Sequence, residues 1–185
     1  VTCFGFCNAT ILATPAGGTP PYSYQWLNTP NGETVDNVDS LCPGTYVLLV
    51  TDFNGCTGTD SAVVTEPTLL VATAAVNNNV SCGGLCDGSA TVTPSGGTPA
   101  YSYLWTPSGQ TTATATNLCA GTYIVTLTDN NLCETTDTVT ITEPPILTAF
   151  PTTTNASCGG VCDGTATANV SGGTPPYAYL WSDGQ

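Results

Sequence analysis

The ten cysteines are the residues of this 185-residue chain with the clearest capacity for chemistry. They recur in groups of similar spacing, at positions Cys3, Cys7, Cys42 and Cys56, then Cys82, Cys86, Cys119 and Cys133, and finally Cys158 and Cys162. Four thiols can form two disulfides or one tetrahedral zinc site. The spacings do not match the usual zinc knuckles, and four thiolates would add negative charge to a chain without a base. We therefore favour disulfides, which indicate an oxidising, extracellular compartment.

Four cysteines allow three pairings within one group. A Cys119–Cys133 bond would centre its turn within the predicted strand Tyr123–Thr128, whereas Asp129-Asn130-Asn131 predicts a turn further along, so this pairing is disfavoured. We favour a bond between the first and fourth cysteines and another between the second and third. The predicted bonds are Cys3–Cys56 with Cys7–Cys42, and Cys82–Cys133 with Cys86–Cys119.

The charge of the chain excludes several classes of function. It has no Lys, Arg or His, against 13 Asp and Glu, so its formal net charge is −13. Without cations it cannot pair with the phosphates of a nucleic acid, and an anionic membrane would repel it. No apolar run approaches the roughly 20 residues that span a bilayer, so we expect no membrane insertion. Catalysis and metal binding by His are excluded too, and no carboxylate pair has the spacing of a general acid and base. We expect neither an enzyme nor a cofactor.

Clustered oxygen atoms are the remaining candidates for binding a metal. They lie at Asp52 and Asn54, and again at Asp129 and Asn131. Calcium takes about six to eight such oxygens, and an acidic secreted chain could bind it. Asp and Asn are also common turn formers, and no spacing here matches a dedicated calcium loop. We favour the turn role and keep calcium as the alternative.

The chain contains three copies of the same sequence block. Residues 16–26 (AGGTPPYSYQW), 95–105 (SGGTPAYSYLW) and 171–181 (SGGTPPYAYLW) match, and the first two cysteines of each group precede the matching block in every copy. We predict a repeat over 1–67 that lacks its first strand, a complete repeat over 68–144 and a truncated repeat over 145–185. Because both ends of the chain fall inside a repeat, we expect it to be a segment of a longer array.

The complete repeat has the pattern of short strands separated by turns. We predict strands at Leu69–Val76, Gly88–Ser95, Tyr101–Trp105, Thr111–Thr116, Gly121–Thr128 and Thr135–Thr142. No helical period appears, so the fold class is all-β, with tandem immunoglobulin-like sandwiches stapled by disulfides. The aromatic stripe ending in Trp105 is predicted to fill the core, with a sugar-stacking platform as the alternative.

The ordered blocks resemble a known family. Ser-Cys-Gly-Gly-x-Cys-Asp-Gly, Ser-Gly-Gly-Thr-Pro-x-Tyr-x-Tyr-x-Trp, Ala-Gly-Thr-Tyr-x-Val-x-x-Thr-Asp and a closing Thr-Glu-Pro look like the SprB repeat, found in tandem in very large cell-surface adhesins of gliding bacteria. The resemblance implies an immunoglobulin-like or PKD-like sandwich, export by type IX secretion, and a non-catalytic rod for adhesion or gliding on the bacterial surface. The alternative is a structural protomer or spacer of a filament without a ligand. Members often keep only the outer two cysteines, which supports the favoured pairing.

The resemblance and the composition also suggest partners and modifications. Expected partners are neighbouring repeats, a surface glycan or the substratum, and other rods by lateral self-association. Asn8, Asn79, Asn155 and Asn169 open N-glycosylation sequons. Secreted proteins of such bacteria carry O-glycans at Asp-Ser or Asp-Thr before an apolar residue, a pattern matched by Ser40, Ser61 and Thr138.

Overall fold

The structure is a computed structural model that describes residues 1–29, 32–182 and 184. Its strands are β1 (Ala9–Leu12), β2 (Ser23–Trp26), β3 (Asn37–Leu41), β4 (Gly44–Thr51), β5 (Thr57–Val64), β6 (Val71–Asn78), β7 (Gly88–Ser95), β8 (Ser102–Thr106), β9 (Thr114–Leu118), β10 (Gly121–Thr128), β11 (Glu134–Ile141), β12 (Thr148–Ala149), β13 (Thr152–Thr154), β14 (Thr165–Thr167) and β15 (Val170–Ser171). The predicted all-β class is confirmed. Among these residues no helix is long and apolar enough to cross a membrane.

The complete repeat forms the expected immunoglobulin-like sandwich. One sheet has the order β6-β7-β9 and the other β11-β10-β8. In β10, Tyr123 and Val125 are buried while Thr122 and Ile124 are exposed, because successive side chains of a strand point to opposite faces. Trp105 of β8 is fully buried, and its indole Nε1–H donates to the Thr112 carbonyl at 3.0 Å. The prediction that this tryptophan fills the core is confirmed.

The predicted strand limits are close to the observed ones except at β9, which begins three residues later than expected. The preceding residues form a loop around the Gln110 side chain. Its Nε2 donates to the Thr116 carbonyl at 2.8 Å, and its Oε1 accepts the Thr116 N–H at 3.0 Å. The bond from the Trp105 indole occupies the Thr112 carbonyl, a backbone group that a strand beginning at Thr111 would use.

The first repeat has the same plan with one strand fewer. Its sheets have the orders β1-β3 and β2-β4-β5, and its core consists of Trp26, Val38, Leu41, Tyr46 and Leu48. In the described part of the chain β1 pairs only with β3, whereas β7, its counterpart, also pairs with β6. An open groove of about 540 Å³ lined by Ile11, Trp26 and Leu48 runs beside this edge. That residues 1–67 lack a first strand stays a prediction.

Contacts divide the chain into two compact units whose limits differ from those of the repeats. The first unit contains Val1–Ala72, Pro94–Ser102 and Leu127–Thr135, and the second contains Thr73–Thr93, Tyr103–Thr126 and Thr136–Gln185. Two loops of the complete repeat therefore lie in the compact unit of the first repeat. In the truncated repeat only two short strand pairs form among the described residues, β12 with β15 and β13 with β14, and most of its residues are exposed. The division into three repeats stays a prediction.

Candidate functional site

Two turns from different repeats meet in the first compact unit, and we call their meeting place the first junction. One is the Cys3 turn (residues 2–8) and the other is the Asp129 turn (residues 129–133). The sulfur atoms of Cys3 and Cys133 are bonded, with Cα atoms 5.8 Å apart and a sequence separation of 130. The bond therefore connects one repeat to the next.

The Cys3 turn is anchored to the end of its own repeat. The Phe6 N–H donates to the Cys3 carbonyl at 3.1 Å, which closes the turn. The Gly5 N–H donates to Oε2 of Glu66 at 2.6 Å, and the Val1 amino group donates to the Thr65 carbonyl at 2.9 Å. Cys3 is thus held beside the segment that leads into the following repeat.

The Asp129 turn is organised by one carboxylate. Asp129, with 3% of its surface exposed, accepts the backbone N–H groups of Thr98 at 2.8 Å, Asn131 at 2.8 Å and Cys133 at 2.9 Å. Nδ2 of Asn131 donates to the Thr2 carbonyl at 2.9 Å, so a side chain of this turn bonds the Cys3 turn directly. The disulfide is therefore accompanied by a hydrogen bond between the same two turns.

The same hydrogen bonds determine the ionisation of Asp129. Burial by itself would raise the pKa of this carboxyl, but the backbone N–H groups of Thr98, Cys133 and Asn131 stabilise the charged form and outweigh burial. The pKa therefore lies below its ordinary value, and the aspartate is ionised at neutral pH.

Apolar side chains surround the bond. A depression of about 250 Å³ beside Cys3 and Cys133 is lined in part by Phe4, Phe6 and Leu69. Phe4 and Phe6 are each about half exposed. The first junction therefore combines a covalent bond, a polar bond and a small apolar surface.

The disulfides correct part of the predicted pairing. The structure joins Cys7 to Cys42 and Cys86 to Cys119, which are two of the predicted pairs. The predicted bonds Cys3–Cys56 and Cys82–Cys133 are absent, since Cys133 bonds Cys3 and the described thiols of Cys56 and Cys82 are free and exposed. The prediction of these two outer pairs was wrong.

Strand length explains the error. Cys56 comes just before β5, whereas the Val1 amino group bonds Thr65 just after β5, and Cys3 lies nearby. Eight residues of strand span about 26 Å, but the Cα atoms of a disulfide lie less than about 7 Å apart. The same holds in the complete repeat, where Cys133 comes before β11 and the Val80 N–H bonds the Thr142 carbonyl after it. The length of these two strands is the sequence signal that our pairing overlooked.

The calcium candidates lie in two turns of the same design. Asp52 accepts the N–H groups of Thr19 at 3.0 Å, Asn54 at 2.9 Å and Cys56 at 2.8 Å, as Asp129 does at its own site. Bonds from these backbone groups, that of Thr19 foremost, lower the pKa of Asp52. Both carboxylates thus serve as turn formers. Among the described residues no three His, Cys, Asp or Glu side chains are grouped as metal ligands. Calcium binding stays a prediction.

Thr98 and Asp137 were not among the predicted site residues. The Thr98 N–H binds Asp129, and Oδ2 of Asp137 accepts the Ala74 N–H at 2.8 Å, which fixes β6 beside β11. Bonds from Ala74 and then Thr138 keep the pKa of Asp137 below its ordinary value. Recurrence was the available signal, because Thr19 and Asp60 occupy the corresponding places of the first repeat.

Most of the residues predicted as glycosylation acceptors are exposed, whereas Asn169 is half-buried and its Nδ2 donates to the Phe150 carbonyl at 3.3 Å. Exposed residues include Ser40, Ser61, Thr138, Asn8 and Asn79. The side chain of Asn8 also bonds Thr2, and Oδ1 of Asn79 accepts the Thr142 N–H at 2.9 Å. Modification at these sites stays a prediction.

The aromatic stripe faces inward in the first two repeats. Trp26 is 2% exposed, and Nε1–H donates to the Val35 carbonyl at 3.0 Å. The Tyr22 hydroxyl donates to the Gly17 carbonyl at 2.7 Å. The tryptophan ring therefore offers no open face on which a sugar could stack.

Comparison with known proteins adds a family. The SprB repeat family matches residues 1–31, 74–110 and 151–185. No curated protein matches the chain. Among solved structures, an IgVJ-C2 molecule of amphioxus is similar at 18% identity and a TM-score of 0.36, over 74% of this chain and 97% of that one. Because the matched segments make up more than half of its residues, the chain belongs to the SprB repeat family.

Proposed function

We propose that this chain is a non-catalytic stretch of a large extracellular adhesin, which extends from a bacterial cell surface and acts in adhesion and gliding. Membership of the SprB repeat family supports this, because the family consists of repeats of cell-surface adhesins. Disulfides support an extracellular location, since they persist in oxidising compartments. Export by type IX secretion is part of the same proposal.

The bond between Cys3 and Cys133 is the observation that best supports an extended chain of repeats. A cross-link between successive repeats restricts bending at their junction, and restricted bending favours an extended stack over a collapsed one. The net charge of −13 acts in the same direction, because neighbouring acidic repeats repel each other. The partners proposed for such a stack are its own neighbouring repeats, a glycan or the substratum, and parallel stacks.

The burial of the aromatic stripe favours a second candidate, in which these repeats space a binding domain away from the cell. With Trp26 and Trp105 buried, an obvious carbohydrate platform is missing from the described part of the first two repeats. In this version the repeats extend the adhesin or build a filament, and another part of the protein binds.

Two measurements test these candidates. Antibodies raised against the purified chain should label intact cells of the parent bacterium, and labelling only after permeabilisation would contradict surface display. Beads carrying the oxidised chain are then compared with albumin-coated beads for retention on glass and on polysaccharide films. Retention above the albumin control supports direct adhesion, whereas equal retention supports the spacer.

A further inference from the structure

Both halves of the Cys3–Cys133 bond recur in the chain. The Cys82 turn (residues 81–87) repeats the geometry of the Cys3 turn, since the Leu85 N–H donates to the Cys82 carbonyl at 3.0 Å and the Gly84 N–H to Oε2 of Glu143 at 2.7 Å. Around Cys158, the Val161 N–H closes a third such turn at 3.2 Å. Every repeat therefore presents its first cysteine in one conformation.

The other half recurs at the Asp52 turn (residues 52–56). Its carboxylate bonds the same three backbone positions as Asp129, and the Phe53 N–H donates to the Thr19 carbonyl at 2.9 Å as the Asn130 N–H does to that of Thr98. Asp129 is nearly inaccessible beside the Cys3 turn, whereas Asp52 is only half-buried. Cys56 therefore lies in a turn with the same hydrogen bonds as the turn that holds Cys133, but its turn is more exposed.

The segment that leads from the repeat of Cys82 into the next repeat is held in the same way as the segment that leads out of the repeat of Cys3. At the first junction the Gly97 N–H donates to the Thr68 carbonyl at 2.9 Å. Beyond Glu143, the Gly173 N–H donates to the Pro145 carbonyl at 2.7 Å. The start of the truncated repeat is therefore built like the start of the complete one, and the thiol of Cys82 is exposed and free.

We propose that the Cys3–Cys133 bond is one step of a regular head-to-tail ladder, in which the first cysteine of each repeat bonds the fourth cysteine of the repeat that follows. Cys82 then bonds the fourth cysteine of a completed third repeat, and Cys56 bonds the first cysteine of a preceding repeat. The second and third cysteines bond within each repeat, as Cys7–Cys42 and Cys86–Cys119 do. This rule concerns assembly and does not require that the repeats bind a surface.

Forming each new bond removes two thiol protons and two electrons. A disulfide donor balances the step: one thiolate attacks the donor, the second thiolate displaces it, and two donor thiols leave. Oxidised glutathione supplies this in vitro, where one molecule per bond becomes two molecules of reduced glutathione.

The existing chain gives the first test. The oxidised protein is alkylated, then digested without reduction by a protease that cleaves before Asp. Cys42, Cys56, Cys119 and Cys133 then lie on separate peptides, whereas Cys3 and Cys7 share 1–35, Cys82 and Cys86 share 60–86, and Cys158 and Cys162 share 137–162. Fragmentation of the linked peptides in the mass spectrometer identifies which cysteine of a shared peptide is bonded. We expect peptide 129–136 to be linked to peptide 1–35, and peptide 52–59 to carry alkylated Cys56. Linkage of 129–136 to 60–86, together with linkage of 52–59 to 1–35, would overturn the ladder.

The second test completes the third repeat. A copy of residues 111–144 is added after Gln185, with serine at its counterpart of Thr135 so that its eight-residue cysteine peptide differs in mass from 129–136. After oxidation with glutathione, we expect this marked peptide to be linked to 60–86 through Cys82, leaving only Cys56 and Cys158 alkylated. A marked peptide linked to 137–162, or left alkylated, would overturn the proposal.

A matched variant checks the assignment. In the extended chain with Cys82→Ser, the marked peptide should be alkylated, while 129–136 stays linked to 1–35. If the marked peptide finds another cysteine there, the bond does not depend on Cys82 and the proposal fails. Near-ultraviolet circular dichroism confirms that the tryptophan cores have folded in each protein. The mapping of the unextended chain tests the first bond even if an extension misfolds.

Discussion

Asp129 connects three backbone positions through a single carboxylate at the first junction. An ionised carboxylate accepts hydrogen bonds with both oxygens, and such charge-assisted bonds contribute more than neutral ones. Its counterpart Asp52 makes the same bonds but is more accessible to water. Comparing the two aspartates therefore separates the contribution of the hydrogen bonds to stability from the contribution of burial.

The first prediction compares Asp129→Asn with Asp52→Asn. An asparagine NH₂ would face a backbone N–H in place of an oxygen, so each variant loses stability. We expect a loss of about 2 kcal/mol for Asp129→Asn and a clearly smaller loss for Asp52→Asn, because water can replace the lost partner at the exposed site. Urea unfolding followed by tryptophan fluorescence measures both, and equal losses would contradict the role assigned to burial.

The second prediction concerns acid. The pKa values of Asp52, Asp87, Asp129, Asp137 and Asp163 lie below the ordinary value of 3.8 in the folded chain. A lowered pKa contributes stability that is complete above the unfolded value and is lost as the pH falls through the folded one. We therefore expect the melting temperature to fall as the pH drops below about 4.

Salt is the control for this experiment. The 13 carboxylates of Asp and Glu also repel one another at neutral pH, and protonation relieves that repulsion. Measurements in about 0.5 M NaCl screen it and leave the hydrogen-bonded carboxylates as the main source of the change. A melting temperature that is constant or rises between pH 6 and pH 3 would contradict the prediction.

At the scale of elements, the turn before β8 fixes the segment that leads into β6. Gly96 has φ +69°, and a Cβ there would lie 1.9 Å from the Leu69 carbonyl oxygen. Gly17, its counterpart, has φ +78°, and a Cβ there would meet no atom within 4 Å. The two glycines share the backbone requirement, but only Gly96 packs against another segment.

The third prediction uses this pair. Gly17→Ala should cost about 1–2 kcal/mol, the usual cost of a left-handed residue with a side chain. Gly96→Ala should cost at least about 2 kcal/mol more, because the methyl group must also displace Leu69. Thermal unfolding of the two variants measures the difference, and similar melting temperatures would refute the close approach.

The fourth prediction fills the groove beside β1. A second copy of residues 68–79 is joined before Val1, whose amino group already bonds Thr65 as the Val80 N–H bonds Thr142. We expect the copy to pair with β1, to donate to Asp60 as Ala74 donates to Asp137, and to raise the melting temperature by at least about 3 °C. A copy with scrambled residue order is the control, and an equal effect of both would show that the groove does not accept this strand.

Local pattern was sufficient to predict most elements. Alternating residues such as Tyr123 and Val125 determine which face of a strand is buried, so β7 and β10 were predicted with their observed limits. The predicted start of β9 is three residues too early, because the Thr112 carbonyl bonds the Trp105 indole, a contact that the alternation of residues does not show. The Cys3–Cys133 bond could not be found by comparing cysteines within one repeat, because it joins turns that only the folded chain brings together.

At the scale of the whole molecule, the Cys3–Cys133 bond closes a very long loop. A loop of 130 residues restricts the unfolded chain by at most about 5 kcal/mol on the loop-entropy model. The bonds Cys7–Cys42 and Cys86–Cys119 lie within it and already restrict part of the same chain, so the actual gain is smaller.

The fifth prediction follows from that loop. Cys3→Ser should lower the free energy of unfolding by several kcal/mol, because the unfolded chain regains conformational entropy. The denaturant midpoint should fall accordingly. Cys158→Ser is the matched control, since Cys158 occupies the same kind of turn but has a free thiol, and it should leave the midpoint unchanged. Unfolding under oxidising conditions makes the comparison, and equal midpoints for the two variants would show that Cys3 forms no stabilising bond.

The same bond determines how tension travels when the chain is pulled from its ends. Force applied at Val1 reaches Cys3 after two residues and crosses the sulfur atoms to Cys133, so the 129 residues between them lie off the stretched path. The first sandwich would not have to unravel for the chain to transmit that force. Beyond Cys133 the force enters β11, whose Val139 and Ile141 belong to the second core, so the second core bears the load while the sulfur–sulfur bond shields the first.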